Sequence, residues 1–266
     1  MKKLYPLLFI SVLIYWGCED ESFSEDLPYF VFGGNGGQVG YSVIQVQDGG
    51  YVITGLTDSE NDDGDVLVLK LNQSGSIEWN QSLGDEHSNS GYEIRETTDG
   101  DYVIIGTDYN DISNDNVTSD IVVYKIDSEG ILIWKKSYGN NHDNGRDLKV
   151  SFDGGLILLG RTETQGQCCE DIVVIKTNSN AHEEWSQTYD FNGSGDIGIT
   201  IDNTSDGGYL IGGHTSSGGE YEMLVFKIDS QGNKVWENHD FGYFGNITSV
   251  REHYDGGYVI LGIIRK

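Results

Sequence analysis

Proline, methionine and basic side chains are scarce in this 266-residue chain: it has 2 prolines, 2 methionines and 16 lysines and arginines. Helix formers are thinly spread as well, whereas there are 37 glycines and 16 tyrosines among many valines, isoleucines and threonines. That balance belongs to a turn-rich, all-β protein. The 16 basic residues face 43 acidic ones, for a net charge of −27. A phosphate backbone would be repelled, so nucleic acid is excluded as a partner. The acidity reads as a well-solvated surface that resists aggregation. Catalytic strings are missing too: there is no Gly-rich phosphate loop, HExxH, nucleophile elbow or CxxC pair. The histidines at 87, 142, 182, 214, 239 and 253 are scattered. Acids crowd Asp58 to Asp65, but an EF-hand counted from Ser59 meets Lys70 where its glutamate belongs. No metal site and no cofactor are expected.

The N-terminus is a separate segment. Lys2 and Lys3 precede an apolar run from Leu4 to Trp16, followed by Gly17 and Cys18. The run falls short of the roughly 20 residues that span a bilayer, so residues 1–17 read as a signal peptide. The Gly17-Cys18 pair resembles the cleavage site of bacterial lipoproteins, which implies lipidation of Cys18; Tyr15 stands where that family usually has Leu. An ordinary secretory signal cut nearby is the alternative. Residues 18–27, opening with Glu19-Asp20-Glu21, read as an acidic tether. Acids directly after the lipidated cysteine resemble surface-export signals of Bacteroidota-like lipoproteins. The expected location is therefore the outer membrane or cell surface, with the membrane as partner through the lipid.

Residues 28–266 are filled by a repeat, and the repeat decides the fold class. Five strings open at Asp48 (DGGYVITG), Asp99 (DGDYVIIG), Asp153 (DGGLILLG), Asp206 (DGGYLIGG) and Asp255 (DGGYVILG). A second string, such as DVLVLKLNQSGSIEW, ends at Trp79, Trp134, Trp185 and Trp236. Both recur every fifty or so residues, so they belong to one unit. Each unit parses into four short strands, a to d, with tight turns at the a–b and c–d joins. Strands b and c are nearly continuous apolar runs, which calls for cover on both faces. Blades stacked around an axis provide it. The expected fold is a β-propeller of about five four-stranded blades. Its last blade stops after strand b, and the stretch Pro28 to Gly33, which aligns with strand d, is expected to close it.

The DGGY and D-K-G-W strings resemble propeller-type repeat proteins of bacteria and archaea, sometimes labelled endoglucanase-like by homology. The G-x-x-x-W ending is also similar to pyrroloquinoline-quinone-type propellers, with no sign of the cofactor. The resemblance implies architecture and brings no catalytic residues with it.

Features repeated four times serve a scaffold better than a single active site. Lys70, Lys125, Lys176 and Lys227 share one place in strand c and need a carboxylate. A cross-blade contact to Asp65, Asp120 or Asp171 is one solution. The recurrent tryptophans and the tyrosines at 51, 102, 209 and 258 read as packing anchors. Cys168 and Cys169 are neighbours; either they form a strained vicinal disulfide or they stay as thiols. Recognition is expected where the repeats differ, in the b–c and d–a loops that share one face. The ligand-binding candidates there are Tyr109, Asp111, Asp115, His142, Asp143, Tyr243 and Phe244. The expected function is a non-enzymatic binding or scaffold module for a glycan or protein. The alternative is a carbohydrate-active hydrolase with carboxylates in the propeller funnel.

Overall fold

The computed structural model describes residues 37–58, 64–84, 89–110, 118–139, 142–163, 170–191, 195–217, 220–239 and 241–265. The signal peptide and tether, the stretch 28–34, Asp111, Asp115, Cys168 and Cys169 lie outside them.

Among the described residues all 18 strands pair antiparallel, and they follow the repeat. The first blade is β1 (Gln38–Gln45), β2 (Tyr51–Asp58), β3 (Gly64–Leu71) and β4 (Ile77–Leu83). The second is β5 (Asn89–Glu96), β6 (Tyr102–Asn110), β7 (Thr118–Ile126) and β8 (Leu132–Tyr138). The third is β9 (Asp143–Val150), β10 (Leu156–Glu163), β11 (Glu170–Thr177) and β12 (Glu183–Tyr189). The fourth is β13 (Asp196–Asn203), β14 (Tyr209–Ser217), β15 (Glu220–Ile228) and β16 (Lys234–Asn238). A hairpin of β17 (Phe244–Glu252) and β18 (Tyr258–Arg265) follows. It joins the fourth sheet through one bridge, Glu222 to Phe244, giving six strands there.

The apolar runs are explained by what each face meets. The innermost strands β1, β5, β9, β13 and β17 touch in succession, and each of the last four also lies against the b and c strands before it. Val52, Val66 and Val68 thus meet Ile94, Ile104 and Tyr124. Ile157, Ile172 and Val174 meet Ile201, Ile211 and Phe226. A strand b such as Val103–Ile105 is buried on both sides, Ile104 facing one interface and Val103 and Ile105 the next. Each such side chain contributes about 1.5–3 kcal/mol on burial.

The DGG string is a turn device tied to strand c. Gly49 N–H closes the turn on Val46 O at 2.8 Å, and Gly49 sits at φ 83°, which glycine adopts without steric cost. Asp48 accepts the Gly50 N–H at 2.6 Å and the Lys70 ammonium at 2.7 Å. Lys125 and Lys176 reach Asp99 and Asp153 at 2.8 and 2.7 Å, and Lys227 reaches Asp206. This corrects the cross-blade expectation: the lysine's partner is the DGG aspartate of its own blade. Asp65, Asp120 and Asp171 lie at the other end of the strand, one or two residues from its start.

The tryptophans bridge blades. Trp79 donates to Ser128 O at 3.1 Å and meets Tyr102 with ring centroids 6.3 Å apart. Trp185 repeats this with Ser230 O at 3.2 Å and Tyr209 at 6.5 Å. Each anchor joins strand d of one blade to the next blade's c–d turn and strand b.

Candidate functional site

The inner strands share an irregularity that no single strand reveals. Each has a β-bulge at the same place: Tyr41 in β1, Tyr92 in β5, Arg146 in β9, Ile199 in β13 and Thr248 in β17 are skipped by their partners. The glycine that ends each DGGY string accommodates it. A Cβ on Gly55, Gly106 or Gly213 would stand 1.8, 1.9 or 2.0 Å from a carbonyl of the bulged strand. Bulges re-aim side chains, and here they bring neighbours on successive blades together. Tyr41 and Tyr92 have ring centroids 5.2 Å apart, and the Arg146 guanidinium lies 5.4 Å over the Tyr92 ring. The bulges sit near the start of strand a, at the end of the blade opposite the DGG turns.

Tyr109, at the end of β6, joins this group. Burial pushes its hydroxyl up, and Tyr92 beside it adds to the shift, partly through a hydrogen bond. Burial and Tyr92 likewise raise Tyr41, which Arg146 counters. Tyr41 is 47% exposed, so its ring is available from solvent. Among the described residues Arg146 has no carboxylate within 4 Å, whereas Arg161 is bound to Glu170 at 2.8 Å.

Deeper along the same strands runs a charged network. The Ser42 hydroxyl donates to Glu93 at 2.9 Å, and Arg95 pairs with Glu93 and reaches Asp147 at 3.9 Å. Lys149 donates to Asp147 at 2.6 Å, whose other oxygen accepts the Ile201 N–H at 2.8 Å. Arg251 lies 3.7 Å from Asp202. Arg95, Arg146 and Arg251 are three of the chain's five arginines. Burial is the largest influence on the Lys149 ammonium and lowers it to about 8 against the pull of Asp147; Arg95 and Arg251 push the same way as burial.

Of the expected ligand-binding residues that are described, the fold brings Tyr109 to this aromatic group. His142 pairs in parallel with Ser119, and its carbonyl accepts the Glu163 N–H at 3.1 Å. Asp143 opens β9 and is 3% exposed. Tyr243 and Phe244 are exposed where the fourth blade passes into β17, two blade junctions further along. Tyr41, Tyr92 and Arg146 were not among the expected residues. Their sequence signal is the preceding glycine, in Gly40-Tyr41, Gly91-Tyr92 and Gly145-Arg146.

No protein-family model and no curated protein matches the chain. Among solved structures it is similar to a protein of unknown function from Dyadobacter fermentans DSM 18053, with a TM-score of 0.51 and 11% identity over 84% of this chain and 74% of that one. It is also similar to the endo-arabinase of Bacteroides thetaiotaomicron VPI-5482, with a TM-score of 0.48 and 12% identity over 85% and 88%. A mannose phosphorylase from Leishmania mexicana gives 0.46 and 14% over 86% and 81%. The fold is β-propeller-like. At these identities the likeness concerns architecture and brings no activity to this chain.

Proposed function

We propose that the chain is a non-enzymatic binding module for a carbohydrate, held at the Tyr41, Tyr92 and Arg146 face. The observation that carries this reading is the stack itself, in which bulged residues of three successive blades present two rings and an arginine with no carboxylate within 4 Å among the described residues. Tyrosine faces suit the apolar faces of sugar rings. The guanidinium donates in a planar fork to sugar hydroxyls or to a uronic carboxylate. The overall charge of −27 does not prevent the latter, because charges beyond about 8 Å are screened at physiological salt. A glycan array probed with the purified protein tests the reading. Tyr92→Ala and Arg146→Ala should each weaken binding about tenfold or more, roughly 1.4 kcal/mol, while the melting temperature stays within a few degrees. Undiminished binding by both variants would contradict it.

A second reading, a carbohydrate-active hydrolase, draws on Asp202. Burial pushes its carboxyl up, Arg251 and Lys149 pull it down, and Asp147 adds to the rise. Glycosidases use two carboxylates about 5–10 Å apart, one of them protonated. Asp147, however, is committed to Lys149 and Arg95. Release of reducing sugar from a polysaccharide by the wild type, lost in Asp202→Asn, would favour the hydrolase.

Two further features complete the reading. The chain is exported and anchored through a lipid on Cys18. Cys18→Ala should move it from the membrane to the soluble fraction; unchanged fractionation with no fatty-acid label on the wild type would contradict this. The ring has five blades, with residues 28–34 completing the last.

A further inference from the structure

The junctions between blades bring three positions together: a residue early in strand c, the residue after strand d, and the first residue of the next strand a. At the first junction these are Asp65, Gly84 and Asn89; at the second, Asp120, Gly139 and Asp143. They crowd closely, since a Cβ on Gly84 would stand 2.1 Å from Asp65 Oδ1, and one on Gly139 would stand 2.2 Å from Asp143 Oδ2. At the third junction the same positions hold Asp171, Asp190 and Asp196, and their oxygens lie within 4.8 Å of one another.

Three carboxylates at this distance repel strongly, so the other groups present matter. Asp171 is 3% exposed and Asp196 fully buried, while Asp190 is exposed. One Asp196 oxygen accepts the Phe191 N–H at 2.6 Å. The other, Oδ1, is buried with no hydrogen-bond partner among the described residues. The Thr215 hydroxyl lies beside it and donates to the Phe191 carbonyl at 3.2 Å. Burial pushes Asp196 up to about 6; Thr215 and the Phe191 N–H pull it down, and Asp190 and Asp171 push it further up. The preceding blade carries Lys135 bound to Asp108 at 2.7 Å, but the residue equivalent to Lys135 in the third blade is Ser186. A buried carboxylate with an oxygen that lacks a donor, in a cluster with two further carboxylates, is the donor set of a hard cation. Oxygens 2.3–2.6 Å from a common ion span up to about 5 Å, so carboxylate oxygens within 4.8 Å of one another can share a calcium ion.

We propose that Asp171, Asp190 and Asp196 bind one calcium ion at the junction of the third and fourth blades. It ties β11 and the end of β12 to β13, with water completing the oxygen shell. The site is separate from the tyrosine and arginine face, and it stands whether or not a sugar binds there.

Calorimetric titration of chelator-stripped protein with calcium chloride, at fixed ionic strength, tests the proposal. One saturable site is expected, with a dissociation constant of roughly 10⁻⁶–10⁻³ M. At a hundredfold excess over that constant the melting temperature should rise by about 5 °C or more. Asp190→Gly places at this junction the residue found at the other two, on an exposed position that folding tolerates. It should weaken calcium binding at least tenfold and remove the thermal shift; Asp196→Asn should do the same, and if it fails to fold, Asp190→Gly alone decides. No saturable heat up to about 10 mM, an equal thermal shift with magnesium, or wild-type affinity in Asp190→Gly would overturn the proposal.

Discussion

Asp206→Ala should lower the melting temperature by about 5–10 °C, more than the same change at any other DGG aspartate. Lys227 is 7% exposed, and among the described residues Asp206 is its one carboxylate partner within 4 Å. Lys70 and Lys176 each keep a second carboxylate on strand d, Glu78 at 2.8 Å and Glu184 at 3.1 Å. Lys125 keeps Asp101 at 2.9 Å. In the fourth blade the strand-d position of Glu78 and Glu184 is Val235, so Asp206→Ala leaves a nearly buried ammonium without a partner. Breaking a buried pair costs about 3–5 kcal/mol. Asp206 is 60% exposed and partly screened, which reduces this to roughly 2–3 kcal/mol. In a chain of this size each kcal/mol moves the melting temperature by about 2–4 °C. Asp48→Ala, with Glu78 still in place, should cost less than half as much. Equal losses in the two variants would contradict the pairing.

The same pair fixes a pH dependence. Lys227, and next Thr204, hold the Asp206 carboxyl down to about 2 from its ordinary 3.8. A depressed carboxylate stabilises the fold above its unfolded value and loses that contribution as pH falls through its folded value. The wild type should therefore lose stability between about pH 4 and pH 2. Melting curves of Asp206→Ala across that window should fall less steeply, although Asp99, also held at about 2 by Lys125 and then Thr97, keeps its own share.

Deleting residues 28–34 should lower the melting temperature by several degrees and promote aggregation. Strand β18 repeats the apolar strand b of the other blades without their cover. Val52, Val103, Ile157 and Leu210 are at most 1% exposed, whereas the equivalent Val259 is 57% exposed. Leu261, Ile263 and Ile264 lie at 64%, 59% and 52%. An apolar strand with an open edge invites pairing with other chains. Pro28 to Gly33 is the segment of the repeat that aligns with strand d, and if it completes the last blade as proposed, deleting residues 28–34 leaves the edge of this strand open. Light scattering alongside the melt separates the outcomes: monomeric protein with an unaltered melt would count against closure, as would a wild type in which β18 is covered by a second copy.

The scaffold was legible because it repeats. Every DGG string became an a–b turn, and the tryptophans became bridges between blades. The partner of the strand-c lysines was misjudged because alternation along one strand says nothing of which turn folds back over its end. The tyrosine and arginine face was missed for a related reason. A bulge belongs to the register between two strands, and its trace in the sequence was only a glycine before Tyr41, Tyr92 and Arg146. Irregular loops drew the expectation elsewhere, and among the described residues chosen there Tyr109 joins the face. The carboxylates of the third junction were hidden because Asp171 is distant in sequence from Asp190 and Asp196, the pair that brackets residues 191–195.

A crystal structure with the sugar selected by the glycan array bound would show which residues recognise it. In the proposed reading, repetition encodes the frame and the bulged inner-strand residues encode recognition. Ligand density over the Tyr92 ring, with a polar group of the sugar within hydrogen-bond distance of Arg146, is the predicted result. Density against the DGG turns, with Tyr41, Tyr92 and Arg146 untouched, would contradict it.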